Sequence, residues 1–175
     1  MRGFRIASAT ALCIIFLALP GYAHEDTKKY VNCQYCNMDR EMFGNSRMLI
    51  EYSDGTSAAT CSLHCSAVDL IQNRANIPCR IRVGDYGAKK LIDATAAFWV
   101  IGGDKPGVMT DTAKWAFEKQ AEAEEFVKKH GGKRATFLEA LRAAYEGLYE
   151  DMKTTIDRVK ESKSRGWNPC DQPGR

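Results

Sequence analysis

Cys33-Gln34-Tyr35-Cys36-Asn37-Met38 sets two thiols three residues apart and a thioether two residues further on. In a turn, that spacing can aim both sulfurs at one ion. Thiolates and thioethers are soft ligands that select Cu(I), whereas carboxylates and carbonyls suit harder ions. Zinc accepts thiolates but has little use for methionine. Met42 and Met48 follow closely; Met48, inside a strand pattern, reads as core. A second cluster, Cys61-Ser62-Leu63-His64-Cys65, falls where a strand pattern gives way to a helical one, with its two thiols about one turn apart. C-x2-C…C-x3-C has three readings at this point. One is soft-metal transport, one is a structural Zn(II) site closed by four ligands, and one is a redox pair that becomes a disulfide in an oxidising compartment. His64 suits the surface as well as it suits a ligand.

The other reactive residues are less telling. Cys79 and Cys170 have no close cysteine neighbour, so a disulfide between them, closing a loop of about 90 residues, is the default expectation. His24 could chelate Cu(II) only as a new amino terminus, and His130 suits the end of a helix through the dipole. No serine elbow, phosphate loop or metalloprotease helix signature is present, and the expectation is a protein that is not an enzyme.

The elements that must hold these sulfurs are short. Arg47 to Tyr52 reads as a strand, Asp54-Gly55 as a tight turn, Ser57 to Cys61 as the returning strand, Ser62 to about Asn76 as a helix, and Cys79 to Val83 as a strand. The order then recurs: strands at Ala96 to Ile101 and Lys114 to Phe117, a helix from Ala121 to His130 capped by Gly131-Gly132, and a strand from Arg134 to Leu138. Trp99 and Trp115 read as core. Leu138, Leu141, Tyr145, Leu148, Met152, Ile156 and Val159 form one apolar stripe of a long last helix, expected to pack on the chain's own sheet. The fold expected is α+β: two small related ββαβ lobes packed together plus a long C-terminal helix. The boundaries are 24–46 for a flexible lead-in carrying the first motif, 47–93 and 94–138 for the lobes, and 139–175 for the helix and tail.

Residues 1–23 read as a cleavable export signal: Arg2 and Arg5, an apolar run from Ile6 to Leu19, then Pro20-Gly21-Tyr22-Ala23. The run is shorter than the ~20 residues that span a bilayer. Cys13 sits inside it after Leu12, which does not suit lipidation, so no stable membrane anchor is expected after cleavage and the mature chain should be periplasmic or secreted. A formal net charge of +3, two of it in the signal, makes no case for nucleic acid.

Taken together, the Cys-x-x-Cys-x-Met opening, the hairpin into the second cluster, the strand Ala97 to Ile101, Met109 in its loop and FVKKHGG from Phe126 to Gly132 resemble NosL proteins. These are nitrous oxide reductase accessory proteins of the bacterial cell envelope. The resemblance spans roughly residues 30 to 140. It implies two strand-strand-helix-strand lobes, a distant kinship with organomercurial lyases, and Cu(I) held for delivery to a copper-receiving envelope protein or metalloenzyme. Cys33, Cys36 and Met38 match the family's opening, with Asn37 where Gly is usual. Met109 matches the loop methionine, with Thr110 where Gly is usual. The reading is a copper chaperone using Cys33, Cys36 and Met38, with Cys61, Cys65 and Met109 as candidate further ligands. Its rivals are a structural-zinc interaction module and a thiol-dependent enzyme, either an oxidoreductase or a carbon–metal lyase.

Overall fold

The computed structural model describes residues 25–168; the expected export signal with Cys13, and also His24 and Cys170, lie outside them. In chain order come α1 (Glu25–Lys29), β1 (Met48–Tyr52), β2 (Ser57–Thr60), α2 (Leu63–Gln72), β3 (Pro78–Gly84), β4 (Leu91–Asp93), β5 (Phe98–Ile101), β6 (Lys114–Phe117), α3 (Gln120–His130), β7 (Lys133–Ala135) and α4 (Phe137–Ser164).

The two lobes share one topology. In the first, the β1–β2 hairpin leads through α2 to β3, which pairs with the other edge of β1; in the second, β5–β6 leads through α3 to β7 on the other edge of β5. All these pairings are antiparallel. The strand β4, too short to stand out in sequence, adds an edge to the first sheet. Asp85 stitches the lobes together. Its buried carboxylate accepts from the Gly87, Ala88 and Glu118 N–H groups, beside a backbone bond from Tyr86 N to Ala116 O.

Two expectations change. The strand expected from Arg134 to Leu138 is cut short, with β7 ending at Ala135: Thr136 and Glu139 build a capping box, so Phe137 and Leu138 begin α4 instead. The signature Thr-x-x-Glu is present in the sequence, and the reciprocal bonds satisfy donors that a strand would have to pair elsewhere. Nor does the whole apolar stripe of α4 pack. Phe137, Ala140, Leu141, Ala144, Tyr145 and Leu148 join Met48, Leu63, Val83 and Trp99 in the core between the lobes. At 28 residues α4 is about 42 Å long and outruns the sheets, leaving Met152 and Ile156 exposed together with Leu138 on the near turn. Among the described residues no helix is long and apolar enough to cross a membrane.

The segment expected as a flexible lead-in is folded from Glu25 onward. Arg40 and Arg47 have no exposed side-chain surface, and both pair with Asp26, Arg47 through two parallel bonds of 2.8 and 2.9 Å. Each guanidinium also serves backbone carbonyls. Arg40 donates to Tyr30, Thr60 and Met48, and Arg47 to Gly44 and Lys89. This ties the stretch carrying the first cysteine pair to the first sheet.

Candidate metal centre

The two cysteine clusters meet. The Sγ atoms of Cys33, Cys36, Cys61 and Cys65 all lie within 4.8 Å of one another, the one such group among the described residues. Cys36 and Cys61 are 3.4 Å apart and Cys61 and Cys65 3.8 Å. A tetrahedral ion with metal–sulfur bonds of about 2.3 Å needs sulfur–sulfur edges of about 3.8 Å, so one ion fits at the centre with little movement. Cys33, Cys61 and Cys65 are buried and Cys36 is half-buried, so the site has one accessible edge.

Local structure explains the convergence. A bridge between Asn32 and Asp39 closes a tight loop, within which Cys33 N donates to Met38 O and Asn37 N to Cys33 O. The loop turns back through Asn37 at φ 61°, a left-handed conformation that asparagine tolerates better than most residues. Gln34 acts as an extra peptide on β2, its N–H reaching Ala59 O and its side-chain oxygen accepting from Ala59 N. Cys61 directly follows β2 and Cys65 lies in the first turn of α2, where the helix dipole favours anionic sulfur. Ser62, at the N-cap, makes no side-chain cap; its hydroxyl donates instead to Val108 O and tethers the 108–112 loop.

The electrostatics follow from the thiols sharing one pocket. The neighbouring Cys61 and Cys65 thiols hold the Cys33 thiol well below the ordinary value of 9.0, aided by the Cys36 and Tyr35 N–H groups against the opposing effect of burial. The proximity of Cys33 in turn pushes the Cys61 thiol up to about 12, and Cys65 is raised by Cys33 and Cys61 in the same direction. A thiol must give up its proton to bind a metal as thiolate, so loading the cluster releases protons.

Of the six candidate ligands, five come together. Met38 packs against the cysteines with Tyr35, Phe43 and Val108. Met109 does not: it is 42% exposed, at φ 60°, and its neighbour Val108 covers the cluster in its place. Met42 is exposed and Met48 is core, as its strand position suggested. His64 is buried under α4, with Nε2 3.8 Å from Asp151 and Nδ1 without a hydrogen-bond partner. Cys79 is a free, exposed thiol, and its expected partner Cys170 lies outside the described residues. At the equivalent corner of the second lobe, Tyr86, Phe117 and Phe126 pack edge to face or tilted, with no sulfur. Two residues around the site had gone unnoticed, Tyr35 and Asp69, whose hydroxyl and carboxylate meet at 2.7 Å. The available signal was Asp69 lying four residues after Cys65 on one helix face.

Comparison with known proteins supports the same frame. The chain matches the NosL family over residues 25–144, which is more than half its length. It belongs to the NosL family. Among solved structures, the crystal structure of the copper chaperone NosL from Shewanella denitrificans is similar at 21% sequence identity and a TM-score of 0.52. The similarity covers 61% of this chain and 86% of that one, and at that identity it speaks to the fold. No curated protein matches the chain. The NosL match ends at Ala144, so the exposed half of α4 lies beyond it.

Proposed function

We propose that this NosL-family chain is an exported Cu(I) carrier that hands its ion to a copper-receiving protein of the cell envelope. The observation that carries the proposal is the four-thiol cluster with Met38 against it, three sulfurs buried and Cys36 at the accessible edge. The soft donor set favours Cu(I). Four thiolates around a monovalent ion would bury three net negative charges, so Cu(I) is held by two or three sulfurs while the others keep their protons. An ion with incomplete coordination can accept a sulfur from a partner at the Cys36 edge before it leaves its own. Transfer is then ligand exchange alone, with no bond made or broken except between metal and ligand. The family and the similar solved copper chaperone support this reading, and nitrous oxide reductase is the client that family membership suggests.

A second reading has its own observation. Four convergent thiols with edges near 3.8 Å also suit a closed Zn(II) site, which would make the cluster a structural staple.

Native mass spectrometry of protein taken without oxygen from the envelope fraction tests the proposal. The expected species begins at or close to His24, carries no acyl chain and holds one copper. Retention of Met1 to Ala23, or one zinc in place of copper, would contradict it.

A further inference from the structure

Tyr35 stands between the two cysteines of the first pair, and its hydroxyl leaves the cluster to donate to Asp69 Oδ1 at 2.7 Å. Asp69 lies on α2, one turn beyond Cys65, and is 3% exposed. Its carboxylate also accepts from the Tyr52 hydroxyl of β1 and from Asn73 Nδ2 at 3.0 Å. A second contact, 3.1 Å from the Tyr35 hydroxyl to Gln72 Oε1, touches the same helix. One buried acid thus joins the loop of Cys33 and Cys36 to the helix of Cys65.

The two ends of the Cys33–Cys36 turn are held differently. Gln34 fixes the Cys33 end to β2 through main chain and side chain. The Cys36 end has Tyr35 as its tie to the helix, and Cys36 is the sulfur that solvent and a partner can reach. A hydrogen bond from a hydroxyl to a buried carboxylate is charge-assisted and stronger than a neutral one. Opening it exposes the acid, while leaving it closed holds the accessible ligand over its three buried partners.

We propose that the Tyr35–Asp69 hydrogen bond is a clasp that keeps the Cys36 edge closed and sets the rate at which the metal is exchanged. Tyr35 and Asp69 are positioning residues, and neither contacts the ion. The metal arm of the proposal rests on the carrier reading; the geometric arm, access to Cys36, does not.

Tyr35→Phe keeps the ring against the cysteines and removes the hydroxyl. Tyr52→Phe removes the other phenol from the same carboxylate but leaves the Tyr35 tie of the Cys33–Cys36 turn in place, and so serves as the structural control. In reduced, metal-free protein, alkylation of Cys36 by iodoacetamide, followed by peptide mass mapping, should speed up about tenfold or more in Tyr35→Phe. Release of Cu(I) to excess chelator should speed up in that variant by about ten- to a hundredfold, the range for an outer-shell partner. Tyr52→Phe should lower Tm and leave both rates at the wild-type value. Equal acceleration in the two variants, or no acceleration in Tyr35→Phe, overturns the clasp. Should the wild-type chain fail to retain Cu(I), the carrier reading falls, and the alkylation arm still decides the clasp.

Discussion

Replacing Cys33 and Cys36 together with serine should lower Cu(I) affinity by at least about a thousandfold. Zinc sites of four ligands bind with about 10–16 kcal/mol in all, so each sulfur accounts for roughly 2.5–4 kcal/mol, a factor of about a hundred to a thousand in Kd. The double variant loses the sulfur that ionises most readily, Cys33, and the one at the accessible edge, Cys36. What remains is Cys61 and Cys65, both buried behind the lost edge. Single variants separate the metals. Cu(I) keeps two or three sulfurs after losing Cys61 or Cys65, so those changes should be far milder than the double variant. Zinc needs all four, and each serine should then weaken it alike. Met38→Leu should weaken Cu(I) modestly at neutral pH and more strongly as pH falls, because a thioether binds no proton while the thiols do. Chelator competition under anaerobic conditions reads all of these. Equal losses at all four cysteines with a silent Met38→Leu would contradict the copper account.

Asp26→Ala should be the most damaging single change to stability away from the sulfurs. It would remove the carboxylate that Arg40 and Arg47, both without exposed side-chain surface, share. Breaking a buried ion pair from one side costs about 3–5 kcal/mol, a fall in Tm of roughly 10 °C or more for a domain of this size. Burial alone would raise the Asp26 carboxyl, but hydrogen bonds and charge from Arg47 and Arg40 outweigh it and hold it below the ordinary 3.8. The sign follows from that. A carboxyl depressed on folding contributes its stability above pH 3.8, and the contribution is lost as pH falls through the lower folded value. Chemical denaturation of wild type should therefore show stability dropping below about pH 4, with this part of the drop missing in Asp26→Asn. A variant as stable as wild type at neutral pH would show that the two arginines find other partners.

How far these features were legible in the sequence depends on the range of the interaction that creates them. The two ββαβ lobes could be read from local patterns: the apolar run of β1, the alternation in β3, the Asp54-Gly55 turn, and the glycines closing α3. The cysteine clusters were visible as spacings, and the chain's own hairpin logic brought Cys61 and Cys65 to one corner. That they close on Cys33 and Cys36 depends on Arg40, Arg47 and Asp26. A buried arginine has the same sequence appearance as a solvated one, so a charged stretch looked like a free lead-in. The stripe on α4 was legible as periodicity, but periodicity does not say where the sheet beneath it ends. Met109 was carried by family resemblance, and the turn at φ 60° leaves it exposed beside the cluster instead of inside it. Tyr35 and Asp69 had no local signal beyond a four-residue offset on α2, because their contact spans 34 positions.

The central claim is that the cluster holds Cu(I) in preference to Zn(II). The direct measurement is competition between the two ions for reduced wild-type protein, anaerobically, with a chelator of known affinity for each. The account predicts that Cu(I) displaces bound Zn(II) completely at one equivalent and that excess Zn(II) does not displace Cu(I). Zinc retained against an equivalent of Cu(I) would contradict it and assign the four thiols to a structural site.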